Sequence, residues 1–274
     1  MSPKTSERSL NEREIMLFRF LIAVTALVVA AGCATTEVSG PSPADDGRER
    51  IVFIGAHPDD SEGFAGIAFL LKDRYDLHIV DYTNGDFGLG EAGFRDGSTA
   101  KLRQAEERDA CAFLGATPHF IGEIDSQALV TRRDVDAISA LLRELNPVAV
   151  FCHWPVDGHP DHVMTAAALY RAMKDVKCRA QLYYYEVIPS ETRAFRPLYS
   201  VDISAVMDKK TEMMRRYKCQ NDGDWLAQDK LKQAAQRGAE RVPAVRYAEA
   251  FTTYNGRPMK KGILHNLPET ALVK

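Results

Sequence analysis

Two short segments, roughly a hundred residues apart, concentrate the residue types that bind metals and transfer protons. The first is Ala56–Glu62 (AHPDDSE), which holds one histidine and two adjacent carboxylates, Asp59 and Asp60. The second is Asp157–His162 (DGHPDH), which holds two histidines and two aspartates within six residues. Two histidines and one carboxylate make a catalytic metal set that leaves coordination positions open for water.

The adjacent acids of the first segment need a compensating charge. Side by side, Asp59 and Asp60 repel each other at neutral pH unless a cation or a proton is bound between them. Neighbouring side chains point in different directions, so one carboxylate can bind a metal while the other faces the reacting water as a general base. The pair therefore indicates a hydrolytic metal centre in which ligand and base are separate residues.

The second segment opens a helix. Pro160 suits the first helical position, which makes His159 the N-cap residue and puts His162 in the first turn. At this i,i+3 spacing the two histidines lie on the same side of the helix. Simpler alternatives stay open at this point: His159 could be only a cap, and Asp161 could be a first-turn acid favoured by the helix dipole.

The elements around these segments predict an α/β fold. Apolar runs rich in β-branched and aromatic residues predict strands, and these alternate with helical segments. We therefore expect a doubly wound, mostly parallel, Rossmann-like sheet with helices on both faces. Ligands bind beyond the carboxyl ends of such strands, which singles out the loops after Ile54, Tyr82 and His153. The predicted strands are Arg50–Ile54, Asp76–Tyr82, His119–Ile121, Val148–His153, Gln181–Val187 and Leu198–Ile203. The predicted helices are Glu62–Lys72, Thr99–Leu114, Arg132–Leu145, Pro160–Lys174 and Ala205–Cys219.

In this order, the two segments resemble the double signature AHPDDxE and HPDH of the LmbE/PIG-L deacetylases. Parts of the C-terminal region are similar to the branch that deacetylates the N-acetylglucosaminyl-malate precursor of bacillithiol. The further stretches that carry the resemblance are Thr83–Gly88, Arg103 to Gly115, Tyr199–Ser204, Lys210, Tyr217–Gln220 and Tyr247–Phe251.

The resemblance implies a deacetylase domain with one divalent metal, Zn²⁺ or another such as Fe²⁺. It implies three metal ligands, which are His57, Asp60 and His162. Asp59 would be the general base on the metal's water, and His159 would stabilise the oxyanion or protonate the departing amine. Asp161 would orient His159. The expected reaction removes the N-acetyl group of an amino sugar and releases acetate.

Substrate contacts are less well specified. The candidates are Arg103, Arg95 and Asp157, and an intrahelical pair with Glu106 or Glu107 is the alternative for Arg103. The bacillithiol-type branch usually has an arginine just before HPDH, where this chain has Gly158. Because an arginine there could neutralise a substrate carboxylate, its absence argues against a malate-bearing substrate.

Composition narrows the class of protein. The 274 residues carry a net charge of -3, and no strong basic field is present, so nucleic acid is not the expected partner. An N-acetylated sugar is the expected partner, and a homo-oligomer stays open. Two other functions stay open as well: a sugar-binding lipoprotein with a structural metal, and an amidase for larger acyl groups.

The N-terminal sequence predicts an export signal. The apolar run Phe20–Ala31 is too short to span a bilayer, which needs about 20 residues, but it suits a signal peptide. Small residues leading to Cys33 resemble a lipoprotein cleavage site, and Met16 is an alternative start. We therefore expect a signal over residues 1–33, a flexible tether over 34–50 and the deacetylase domain over 51–274, lipid-anchored through Cys33 in the periplasm or at the cell surface.

Four further cysteines show no metal-binding spacing. Cys111, Cys152, Cys178 and Cys219 are far apart in the chain, so a zinc–cysteine site is not expected. Two of them, Cys111 and Cys152, lie in apolar runs and are expected to be small core residues.

Overall fold

A computed structural model describes residues 47–187, 192, 194–220, 235–236, 239 and 245–272. Its eight strands form a single sheet in the order β3-β2-β1-β4-β5-β7-β6-β8. The strands are β1 (Arg50–Gly55), β2 (Asp76–Thr83), β3 (Ala116–Glu123), β4 (Ala149–His153), β5 (Gln181–Tyr185), β6 (Tyr199–Asp202), β7 (Ala248–Thr253) and β8 (Thr270–Leu272).

The first five strands are parallel, as the sequence predicted. β1 lies between β2 and β4, with Phe53 paired to Ile79 on one side and to Phe151 on the other. The chain adds β2 and then β3 on one side of β1, and it then crosses to the other side of β1 with β4. This reversal makes β1 and β4 the switch point, where their carboxyl-end loops separate and leave a crevice.

Helices cover both faces of the sheet, which confirms the doubly wound architecture. The helices are α1 (Ala65–Leu71), α2 (Glu91–Asp96), α3 (Ser98–Leu114), α4 (Arg132–Leu145), α5 (Pro160–Asp175) and α6 (Met207–Met214), and short 3-10 turns span Asp60–Gly63 and Lys218–Gln220. α1, α3 and α6 pack on the face that carries Phe53 and Phe151. α4 and α5 pack on the opposite face against Val52, Ile54 and Val150.

The C-terminal part of the sheet differs from the expected pattern. β7, β6 and β8 are antiparallel to their neighbours, and the sequence did not identify β7 or β8 as strands. The predicted helix Ala205–Cys219 is also shorter, because the chain turns inward after Arg215. There the buried Tyr217 hydroxyl shares a hydrogen bond with Ser61 Oγ at 2.9 Å.

The glycine-rich stretch after β2 contains a short helix, α2, which the sequence did not predict. Cys111 and Cys152 are free thiols in the core, as expected. The predicted signal peptide, Cys33 and nearly all of the tether lie outside the described residues. Within the described ranges, no helix combines the length and the apolar character that a bilayer crossing requires.

Candidate active site

The site lies at the carboxyl ends of β1 and β4. β1 ends at Gly55, where an added Cβ would lie 2.8 Å from Asp60 Cβ, so only glycine lets the following loop fold back this tightly. The loop then forms the 3-10 turn that begins at Asp60. After β4, the chain reaches α5 with His159 as N-cap and Pro160 in the first turn, as predicted.

The three predicted metal ligands face one another in the crevice, and each is at most 6% exposed. Asp60 Oδ2 lies 3.6 Å from His57 Nδ1, and Asp60 Oδ1 lies 3.5 Å from His162 Nε2. These separations are too long for good hydrogen bonds. They match the distance of about 3.4 Å between two ligand atoms of a tetrahedral zinc site with bonds near 2.1 Å.

The outer nitrogen of each histidine contacts a carboxylate. His57 Nε2 lies 3.1 Å from Asp161 Oδ2, and His162 Nδ1 lies 3.1 Å from Asp157 Oδ1. Carboxylates in this position fix the ring orientation and the tautomer of a metal-binding histidine. Asp60 therefore lies within ligand spacing of both His57 and His162, and the chemistry of two imidazoles and a carboxylate suits a divalent metal.

The electrostatics of the site also favour a cation. Burial alone would lower the pKa of His57, but the carboxylates of Asp125 and Asp161 raise this pKa well above its usual value. Burial would also lower the pKa of His162, but the carboxylates of Asp60 and Asp157 raise it to about 9. The carboxylates are thus in excess, and a divalent metal would balance them.

Asp161 occupies a different place from the one predicted. Its carboxylate accepts a hydrogen bond from the Ser126 backbone N–H at 2.6 Å and contacts His57. Only its backbone N–H reaches His159, where it donates to Nδ1 at 3.2 Å. The side chain therefore contacts the candidate ligand His57 rather than His159, because the helix start points the carboxylate toward the loop after β3.

His159 is both a helix cap and a wall of the cavity. Its Nδ1 accepts the capping hydrogen bond, which leaves Nε2 free of that role. The ring lies 4.6 Å from the ring of His57, edge to face. Burial, together with the nearby His57, lowers the pKa of His159, so the ring is neutral at neutral pH. The cap and the predicted catalytic role are therefore compatible.

Asp59 faces the cavity beside the ligands in a strained conformation. Its φ is 137°, a value that L-residues rarely adopt and that marks functional sites when it persists. Arg103 donates to Asp59 Oδ1 at 2.8 Å and to the Pro58 carbonyl, also at 2.8 Å. Burial raises the pKa of the Asp59 carboxyl to about 6, and the charge of Arg103 opposes that rise.

Arg103 is 4% exposed and contacts the site rather than its own helix. A second carboxylate, Asp125, lies 3.4 Å from its Nη1. The glycine-rich loop passes close to the guanidinium, since an added Cβ at Gly85 or Gly88 would come within 2.8 or 2.6 Å of the Arg103 side chain. Arg103 therefore holds Asp59, and its contact with substrate stays a prediction.

The other two substrate candidates have different partners in the structure. Arg95 is on the exposed α2, where it pairs with Glu91, and it is not among the described residues that line the cavity. Asp157 is buried behind His162 and also accepts from the His159 backbone N–H at 2.9 Å. The geometry favours a supporting role for Asp157, and both substrate contacts stay predictions.

Two buried residues of the site were not among the predicted site residues. Asp125 follows β3 and connects His57 with Arg103. His153 ends β4 and contacts Asp60. Both lie at the carboxyl ends of parallel strands, and that position was the signal that could have identified them.

A cavity of about 290 Å³ opens over this cluster. Its walls come from the loops after β1, β2, β3 and β4 and from the segments next to β5 and α6. The lining residues are His57, Asp59, Asp60, Glu62, Phe87, Gly88, Arg103, Asp125, Ser126, His159, His162, Val187 and Gln220.

A buried ion pair supports the same loop from behind. Glu249 on β7 accepts from the backbone N–H groups of Gly66 and Ile67 at 2.7 and 2.8 Å. Lys210 on α6 donates to Glu249 Oε1 at 2.6 Å, and both side chains are at most 4% exposed. The start of α1, directly after the Asp60–Gly63 turn, is thereby fixed to the antiparallel strands.

Residues 52–173, which include every residue of the cluster, match the family described as PIG-L, GlcNAc-PI de-N-acetylase. This segment is a PIG-L family domain. The chain is 29% identical over 168 residues, 51% of its length, to a 1D-myo-inositol 2-acetamido-2-deoxy-alpha-D-glucopyranoside deacetylase from Mycobacterium sp. (strain KMS). The match spans 54% of that relative, so this chain covers about half of the relative's length.

Solved structures share the fold. N,N'-diacetylchitobiose deacetylase from Pyrococcus horikoshii superposes with a TM-score of 0.66 at 21% identity, covering 91% of this chain and 96% of that one. GalB, a 4-carboxy-2-hydroxymuconate hydratase from Pseudomonas putida KT2440, superposes with a TM-score of 0.64 at 21% identity, covering 78% and 99%. Since these two structures of one fold are a deacetylase and a hydratase, the fold alone does not determine the chemistry of the site.

Proposed function

We propose that this PIG-L domain is a metal-dependent N-deacetylase of amino sugars. The observation that carries the proposal is the position of Asp59. It is a carboxylate that faces the cavity beside three candidate ligands without belonging to them, and Arg103 holds it at 2.8 Å. A purely structural metal needs no such group, whereas hydrolysis requires a base for the attacking water.

His57, Asp60 and His162 would hold the metal. When bound, a divalent ion polarises the acetamide carbonyl and lowers the pKa of water toward about 7. Asp59 would take the proton of the attacking water, since its partly buried carboxyl is oriented by Arg103. His159, across the cavity, would stabilise the developing oxyanion, or would deliver to the departing amine a proton that it first takes up from Asp59. The supporting carboxylates of Asp161 and Asp157 would keep both ligand histidines in place.

The substrate class follows from the relatives and from one departure. The names of the mycobacterial and Pyrococcus relatives describe deacetylation of N-acetylglucosamine-type sugars. Gly158 leaves the position before the HPDH segment without a cation. We therefore propose an N-acetylated amino sugar without an anionic group at that position, such as a component of an envelope glycan.

The sequence features of the N-terminus suggest where this activity takes place. We propose export and anchoring through a lipid on Cys33, with the domain held in the periplasm or at the cell surface. Growth with a radioactive fatty acid should label the wild-type protein and should not label Cys33→Ala. Label that persists in the variant would exclude Cys33 as the attachment site.

The decisive experiment measures acetate release from a panel of N-acetyl sugars, before and after treatment with a chelator. We expect release that stops on metal removal and returns with Zn²⁺ or Fe²⁺. Sugar binding without acetate release would favour the sugar-binding lipoprotein. Release only from longer N-acyl sugars would favour an amidase for larger groups, and release that survives the chelator would exclude the metal mechanism.

A further inference from the structure

His153 contacts two of the candidate ligands although the family signature does not include it. It ends β4 and is completely buried. Its Nε2 lies 2.9 Å from Asp60 Oδ2. Its ring stacks on that of His162, with 4.0 Å between centroids and 8° between planes. A histidine in this position can control both ligands.

The surroundings determine which ring nitrogen carries the proton. The Ala56 backbone N–H lies 3.0 Å from Nε2 of His153, but the same N–H is closer to Asp60 Oδ2, at 2.6 Å. A carboxylate oxygen only accepts, so the short contact between Nε2 and Asp60 Oδ2 is favourable only with a proton on Nε2. No hydrogen-bond partner meets the buried Nδ1 in the structure. The contact with Asp60 therefore favours the tautomer of His153 that carries its proton on Nε2.

This proton completes the set of donors around one oxygen of Asp60. The backbone N–H groups of Ala56 and His57 also donate to Oδ2, at 2.6 and 2.8 Å. The other oxygen, Oδ1, is left facing His162 Nε2 at 3.5 Å. Asp60 is thereby held with Oδ1 toward His162, while Oδ2 lies 3.6 Å from His57 Nδ1.

We propose that His153 is a positioning residue of the metal centre, which donates to Asp60 and stacks against His162 without binding the metal itself. The inference rests on the metal site of the proposed function. Asp60, His153 and His162 could also form a three-ligand group. In that group a ring nitrogen of His153 would bind the metal, and Nε2 cannot do so while it donates to Asp60 at 2.9 Å.

The test compares two amides at position 153. The side-chain nitrogen of glutamine is as many bonds from Cα as histidine Nε2, whereas that of asparagine corresponds to Nδ1 and falls short of Asp60. Metal-free proteins would be titrated with Zn²⁺ against a chromogenic chelator. We expect His153→Asn to bind zinc about 10–100-fold more weakly and His153→Gln to stay close to the wild type. His119→Asn, at the far end of the sheet, is the matched control and should bind normally.

Equal zinc affinity in all variants would show that His153 only fills the core, and equal losses in the Gln and Asn variants would assign its effect to packing. Either result overturns the proposal. If the Asn variant does not fold, ¹H–¹⁵N correlation spectra of the zinc-loaded wild type decide: a protonated Nε2 supports positioning, and a metal-bound ring nitrogen overturns it. A wild type that binds no metal would contradict the proposed function instead.

Discussion

The two halves of the sheet contribute to one site in different ways. The parallel half, β3-β2-β1-β4-β5, provides all three predicted ligands from the loops after β1 and β4. The antiparallel half provides none of the candidate ligands within the described ranges, yet Glu249 on β7 binds the start of α1 just behind the Asp60–Gly63 turn. Chemistry therefore comes from one half, and the position of a key loop is fixed by the other.

The sharpest test of this division changes the parallel half alone. Asp59→Asn keeps the size of the side chain and removes the base, so we expect kcat to fall about 10²–10⁴-fold. Zinc content and melting temperature should stay close to those of the wild type, because Asp59 is not a predicted ligand. Unchanged turnover would remove Asp59 from the mechanism, and a parallel loss of zinc would make it a ligand.

The antiparallel half should respond in stability instead. Lys210→Met leaves the buried Glu249 carboxylate without its cation, so the free energy of unfolding should drop by about 3–5 kcal/mol. Urea denaturation measures the loss, and the exposed Lys209→Met is the matched control. At a temperature where the variant is folded, turnover should fall far less than in Asp59→Asn. An unchanged free energy of unfolding in Lys210→Met would mean that the ion pair with Glu249 does not hold the loop.

Arg103, on α3 beside the parallel half, positions Asp59 and does not itself transfer a proton. Arg103→Lys keeps the charge and loses the paired contacts with Asp59 Oδ1 and the Pro58 carbonyl. We expect kcat to fall about 10–100-fold, because small displacements of a reacting group have effects of this size. A change in KM alone, with kcat intact, would instead identify Arg103 as a direct substrate contact.

A histidine pair near the β3 edge of the sheet should affect neither turnover nor metal binding. His119 on β3 lies 3.0 Å from His78 on β2, and burial lowers the pKa of His119 to about 4. The unfolded chain therefore takes up this proton first. The stabilising contribution is complete above about pH 6.5 and is lost as the pH falls toward 4, by about 3 kcal/mol. Thermal melts should show a flatter pH dependence in His119→Gln, and an identical dependence would contradict this assignment.

The same division explains what the sequence could predict. Continuous apolar runs identified the parallel strands, and α4 begins and ends where its N-cap and Asn146 place it. The three ligands and Asp59 follow strands directly, so local sequence positions them. β7 and β8 pair only with distant strands, and no local pattern signals that pairing. The partners of Asp161 and Arg103 likewise depend on side-chain directions that spacing alone does not determine.

The backbone of Asp59 has a consequence for how this protein would change under selection. Its φ of 137° suits glycine far better than aspartate, so the base occupies a position where the fold would gain stability by losing it. Under selection for heat resistance alone, Asp59→Gly should appear early and end catalysis while the ligands remain. Activity and stability conflict at this residue, and an aspartate is retained there only while the chemistry is useful to the cell.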